Sequence, residues 1–187
     1  MRRLFTSLLV LILLAGCAAP TVFIKPDFDS ARIRKVAIFP FESSDKNISS
    51  IATDIFTAEF ITLGKFEIVE RNQLDKIIEE QKLGAAGTLD PATIKEVGRI
   101  LGVDALVIGS VYPNYRYEEI VFAPLPAKEI KNINLNVRLI EVETGSVLWS
   151  GSQNSSNVFA VPTSVDEHIR VASKDIIKAF KKILAGK

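Results

Sequence analysis

The chain opens "MRRLFTSLLVLILLAGC", and this start decides how much of the sequence is left to fold. Arg2 and Arg3 make a positive beginning, and Leu8 to Leu14 is an unbroken apolar run. Ala15 and Gly16 are small residues of the kind that precede a cleavage point. The apolar run is too short for a membrane-spanning helix, which takes about 20 residues. Read as a leader, the first sixteen residues leave 171 of 187 to fold. A chain of that size buries roughly 70% of its unfolded surface as one domain and needs no covalent staple. Cys17 is the only cysteine, so no disulfide partner exists for it.

The stretch "LAGC", Leu14 to Cys17, resembles the lipobox of bacterial lipoproteins. In that class the cysteine becomes the new N-terminus and carries several acyl chains. One chain alone anchors weakly, at about 0.8 kcal/mol per buried CH2, so several are needed for stable attachment. The resemblance implies lipidation at Cys17 and a lipid bilayer as the first partner. Ala18, which is not acidic, resembles the sorting pattern for the outer membrane of diderm bacteria, facing the periplasm. The other reading is an ordinary leader followed by a chance cysteine. Processing removes Arg2 and Arg3 and leaves 21 basic against 22 acidic residues. That near-neutral balance argues against bulk electrostatic binding of nucleic acid.

Residues 18 to 34 show no sustained period and hold two prolines, which reads as a tether. It either hangs free or docks Val22 to Lys25, or Phe28, on the domain or a neighbour. "KVAIFPF", Lys35 to Phe41, reads as a mostly buried strand ended by Pro40. A helix follows from about Asn47 to Leu63, with Ile48, Ile51 and Ile55 in one stripe and Phe56, Phe60 and Leu63 in another. Gly64 stops it. Lys65 to Arg71 reads as a strand, and Asn72 caps a helix. Asp90-Pro91 opens another that runs to Leu101, with Ile94, Val97 and Leu101 inward and Gly102 past its end. Asp104 to Val111 is a buried strand. In Ile133 to Val142, Ile133, Leu135, Val137 and Leu139 alternate with Asn134, Asn136, Arg138 and Ile140, which marks a half-exposed strand. Gly145 turns it back into "VLWSGS", and Ser155 to Ser164 reads as a loop or short edge segment. Ser164 and Glu167 suit a capping box for a last helix to Leu184, with Val165, Ile169, Ala172, Ile176, Ala179, Phe180 and Ile183 inward. This order predicts a single α/β domain, a mixed sheet packed with about four helices.

Three stretches carry a family likeness: Val69 to Gly87, Asp90 to Val111 and Ile133 to Ser150. They resemble the CsgG family, which includes the curli secretion channel and similar lipoproteins. The likeness covers about residues 33 to 183. It implies a CsgG-like fold, related to the periplasmic domain of LpoB and to the N-terminal domain of TolB. The domain division is then 1–16 signal peptide, 17–34 lipidated tether and 35–187 folded domain. Arg71, Asn72, Gly84, Gly87 and Gly102 read as architectural. The family offers no catalytic residues, and no cofactor is expected.

The residues themselves agree that an enzyme is not expected. His168 is the only histidine, and no cysteine or second histidine can complete a metal site with it. It reads as a solvated residue of the last helix. No serine sits in a G-x-S-x-G elbow, and no phosphate-binding glycine motif is present. Glu79 and Glu80 read as part of a solvated face.

The stretch "YPNYRYEEIVFAPLPAKEIKN", Tyr112 to Asn132, occupies the position where the curli channel inserts its first membrane hairpin. A bilayer strand needs about 9 to 11 residues with one continuously apolar face. Neither alternating set from Tyr115 onward supplies it, and Pro124 and Pro126 interrupt pairing. The expectation is a fold without full-length transmembrane hairpins. The stretch reads as a loop whose Tyr115, Tyr117, Val121 and Phe122 either contact a partner or pack on their own sheet. Three functions stay open: a non-enzymatic lipoprotein of envelope or secretion-complex assembly, a ring-forming secretion pore subunit, and an activator of a cell-wall synthase. The partner protein is unknown, and a homo-oligomer is among the states implied.

Overall fold

The computed structural model describes residues 19–69, 90–118, 127–156 and 164–185. Within them lie six strands, β1 Thr21–Ile24, β2 Lys35–Ile38, β3 Glu67–Ile68, β4 Ala105–Glu118, β5 Ala127–Glu141 and β6 Val147–Ser156. Three helices accompany them, α1 Lys46–Ile61, α2 Pro91–Leu101 and α3 Val165–Ala185. The strands form one mixed sheet in the order β1-β6-β5-β4-β2-β3. β1, β6, β5 and β4 are antiparallel in turn, whereas β4, β2 and β3 run parallel. The single α/β domain expected from the sequence is therefore present. The helix expected after Asn72, with Arg71, Glu79, Glu80, Gly84 and Gly87, lies outside the described residues.

Local chemistry sets the helix ends. The Asp45 carboxylate accepts the Asn47 N–H at 2.8 Å and caps α1. Asp90 accepts the Ala92 and Thr93 N–H groups at 2.8 and 3.1 Å, and Pro91 fills the first position of α2. These bonds hold the Asp90 carboxyl below its ordinary range, those from Thr93 most strongly. Gly102 ends α2 at φ 62°, where a side chain would be strained. At the start of α3 the Glu167 N–H donates to the Ser164 hydroxyl at 3.4 Å.

The sheet has two covered faces of unequal extent. α1 and α3 cover one, where Ile133, Leu135, Val137 and Leu139 of β5 are all buried, as their alternation requires. An aromatic chain runs through this layer, with Trp149 stacked on Phe180 at 4.3 Å and Phe56 5.3 Å from Phe41. Among the described residues the other face is covered at one end, where Ile94, Val97 and Leu101 of α2 meet Leu106, Ile108 and Ile140.

The segment read as a tether is docked. β1 pairs with β6, the Lys25 N–H donates to the Leu148 carbonyl at 2.9 Å, and Phe28 is buried against Phe180. Of the two readings left open by the sequence, docking holds.

The stretch from Tyr112 to Asn132 corrects its reading as a loop. β4 continues through it to Glu118 and β5 begins at Ala127, so both flanks are hairpin arms. Pro113 does not break β4, for a geometric reason. The Val111 N–H points away from β5 and donates to the Glu42 carbonyl at 2.8 Å. Two residues on, the Pro113 nitrogen faces the same way, past the last strand contact on that side among the described residues, so no ladder bond among them is lost. Lys131 is an extra residue in β5, since Asn114 pairs with Asn132 but Tyr115 pairs with Ile130. Residues 119–126, with Pro124 and Pro126, lie outside the described residues.

Candidate partner-binding surface

Beyond the edge of α2, the second face of the sheet carries no helix among the described residues. Strand alternation puts Ser110, Tyr112 and Asn114 of β4 on it, then Asn132, Asn134, Asn136 and Arg138 of β5, then Ser150, Ser152 and Asn154 of β6. Phe23 of β1 completes it and is 51% exposed.

The polar side chains bond to one another across the strands. The Asn114 amide donates to Asn132 Oδ1 at 2.6 Å, and the Asn154 amide donates to Asn134 Oδ1 at 2.6 Å. The Ser152 hydroxyl donates to Asn136 Oδ1 at 2.7 Å. These ladders keep the amides in fixed orientations on a pleated, solvated surface. Arg138 brings a cation to the face, exposed on β5. Beside it lies a shallow depression of about 420 Å³, lined by Thr21, Phe23, Ser110, Asn136, Arg138 and Ser152. At the upper rim, the Tyr112 hydroxyl bonds to the Glu42 carboxylate, which raises the phenol pKa above its ordinary value. The surface offers oriented amide and hydroxyl groups and one guanidinium, so it can hold a polar partner by hydrogen bonds.

The opposite end of the molecule has a second concavity of about 330 Å³ that mixes Arg32, Lys95 and Arg99 with Asp104, Glu141 and Glu143. Asp104 is structural there, accepting the Arg34 and Lys35 N–H groups at 2.8 and 2.9 Å and so fixing the entry to β2.

His168 requires a correction. It is only 3% exposed, not solvated, and its Nδ1 lies 3.1 Å from the Ser155 hydroxyl. Three residues separate it from the helix start, so it faces the sheet, where the end of β6 offers a polar partner. Burial pushes its pKa below 6.5, against opposing effects of the Ser155 backbone and the Glu167 charge. The neighbouring Gln153 amide donates to Asp175 at 3.2 Å, so a polar seam joins β6 to α3.

The sequence-predicted contact residues are not brought together in the described part. Tyr115 lies in β4, 36% exposed, and strand alternation puts it on the face opposite Tyr112. Tyr117 is also in β4. Val121, Phe122 and the lipidation candidate Cys17 lie outside the described residues. The amide ladder was missed as a site, although its signal is plain: asparagine at every second position of β5 from Asn132 to Asn136.

Comparison with known proteins gives three findings. The family described as "Curli production assembly/transport component CsgG" matches residues 26–119. The fold is similar to the PelC dodecamer from Paraburkholderia phytofirmans, at 14% identity, covering 86% of this chain and 96% of that one with a TM-score of 0.52. It is also similar to lipoprotein GNA1162 from Neisseria meningitidis, at 17% identity, covering 82% and 99% with a TM-score of 0.53. No curated protein matches by sequence. The family match runs from before β2 to the end of β4, through half of the chain and the stem of the long hairpin; the chain belongs to the CsgG family.

Proposed function

We propose that this chain is an outer-membrane-anchored periplasmic lipoprotein that helps assemble or regulate an envelope or secretion complex, with no catalysis of its own. The observation that carries it is the open, amide-laddered face of β4, β5 and β6, a built surface that the domain's own described helices leave uncovered. The family's description as an assembly and transport component supports the same direction. A similar fold occurs in a protein described as a dodecamer, which favours homo-oligomer formation as the way this surface is used. Lipid attachment at Cys17 would confine the domain to one membrane face and raise its effective concentration for a neighbour.

The test is made on the full chain expressed in a diderm bacterium. The mature protein is expected in the outer-membrane fraction with an acylated Cys17, while Cys17→Ala is released to the soluble periplasm. In native gels the acylated protein is expected as an oligomer or heteromeric complex that Arg138→Glu weakens. An unacylated monomer would overturn the reading.

One observation favours a second reading. The continuous β4–β5 hairpin projects past α2, as a pore-forming strand pair would. Discrete conductance steps from the acylated protein in planar bilayers would replace the adaptor reading with a secretion pore.

A further inference from the structure

We infer that the hollow between α2 and the β5–β6 turn, at the end of the domain away from the long hairpin, binds short peptides through both of their free ends. No residue of the amide-laddered face enters this site, so the inference is independent of the function proposed above.

Separate elements build the walls. Lys95 and Arg99 lie one helical turn apart on the exposed side of α2, while Ile94, Val97 and Leu101 face the core. Arg32 adds a third cation from the 3₁₀ turn Ser30–Arg32 ahead of β2. Glu141 ends β5, and Glu143 follows in the turn to β6. Between the cations and the carboxylates the hollow is lined by Ile33, Val103 and Val142, which are apolar and buried.

The backbone holds these walls in place. A Cβ on Gly98 would lie 2.3 Å from Val142 Cγ2, so the bare glycine lets α2 press directly onto the end of β5. The Val142 N–H donates to the Asp104 carbonyl at 2.9 Å, and the Gly145 N–H donates to the Glu141 carbonyl at 2.9 Å and closes the turn. The opposite charges stay apart across the hollow. Lys25 pairs with Asp27 at 3.3 Å and Lys35 with Glu67 at 3.8 Å, but among the described residues none of Arg32, Lys95, Arg99, Glu141 and Glu143 forms an ion pair.

Charge complementarity selects the ligand. Glu141 and Glu143 oppose a purely anionic ligand such as a phosphate ester. Arg32, Lys95 and Arg99 oppose a polyamine. A ligand that satisfies both walls carries one charge of each sign with an uncharged middle. In a free amino acid the two charges flank a single carbon and cannot reach both walls. An extended chain advances about 3.3–3.6 Å per residue, so the ammonium and carboxylate of a tripeptide stand at most about 10 Å apart. The hollow, about 330 Å³, falls in the size range of small-ligand sites. The peptide carboxylate then meets Lys95 and Arg99 in charge-assisted bonds, its ammonium meets Glu143, and a small middle side chain rests on Val103 and Val142.

The experiment titrates three peptides calorimetrically into the full chain, expressed in a diderm bacterium and purified in detergent: trialanine with free ends, its N-acetylated form and its C-amidated form. The free peptide is expected to bind, and each cap to weaken binding about tenfold by removing a charged partner. In Glu143→Gln the acetyl cap is expected to lose its effect while the amide cap keeps its own. In Lys95→Gln with Arg99→Gln the reverse is expected. All three positions are exposed, and thermal melts check that the variants keep the fold. Equal binding of free and capped peptides would overturn the inference, because the site would then read an internal segment of a partner rather than free ends. So would an acetyl-cap effect that survives whole in folded Glu143→Gln, or no binding of the free peptide at millimolar concentration.

Discussion

Gly109 of β4 sits under the ring of Phe41, which is itself packed on Phe56. A Cβ at position 109 would lie 2.8 Å from two ring atoms of Phe41, closer than carbon atoms approach. The ring has nowhere to go, because Phe41 is buried and its backbone N–H is held by the Thr53 hydroxyl at 2.9 Å. Gly109→Ala is expected to lose about 1–3 kcal/mol through overpacking, read as a lower urea midpoint at unchanged slope. His168 gives a prediction in pH. Its folded pKa is depressed by burial, so the unfolded chain takes up the proton first as pH falls. The stability tied to the neutral ring is complete above about pH 6.5, the ordinary value, and declines as pH drops from there towards the folded value. His168→Gln is expected to flatten that part of the stability profile, measured by thermal melts across the same range. Acid sensitivity unchanged in the variant would place its origin elsewhere.

Elements show where sequence reading succeeds and where it stops. α2 is legible to the residue because both of its ends carry explicit stop chemistry: Asp90 with Pro91, and Gly102. α1 begins one residue before its expected start, because the capping oxygen belongs to Asp45. Asp45→Ala is expected to cost about 1 kcal/mol, seen as a lower melting temperature with the fold kept. The inward face of β5 is legible from alternation alone. The arms of the long hairpin are not. Alternation of Tyr, Asn, Arg and Glu gives no apolar face, and β4 runs through Pro113 all the same. Its harmlessness depends on which side of β4 lacks a neighbour, a tertiary fact. His168 fails for a similar reason: its polar partner, Ser155, comes from a segment whose pairing the local pattern leaves undefined. The candidate site is half legible. The alternating asparagines show the outer face of one strand. Their pairing into ladders needs the registers of three.

At the scale of the whole molecule, β1 is both the first of the described strands and an edge of the sheet they form. Ile24→Asp puts a charge among residues packed on the main core, and is expected to free β1 from β6. The bared β6 edge then favours association between chains, visible as a concentration-dependent rise in light scattering. The pairing of β1 with β6 also fixes a timetable for folding. A polypeptide is made N-terminus first, yet the partner of β1 lies about 130 residues downstream. The pairing of β1 with β6 cannot close until most of the polypeptide is available to fold. Such a distant contact carries a loop-closure cost and slows folding. Until then β1 remains an unpaired strand. The chain is most exposed to misassembly during that interval, and a chaperone that holds Thr21 to Ile24 would act there.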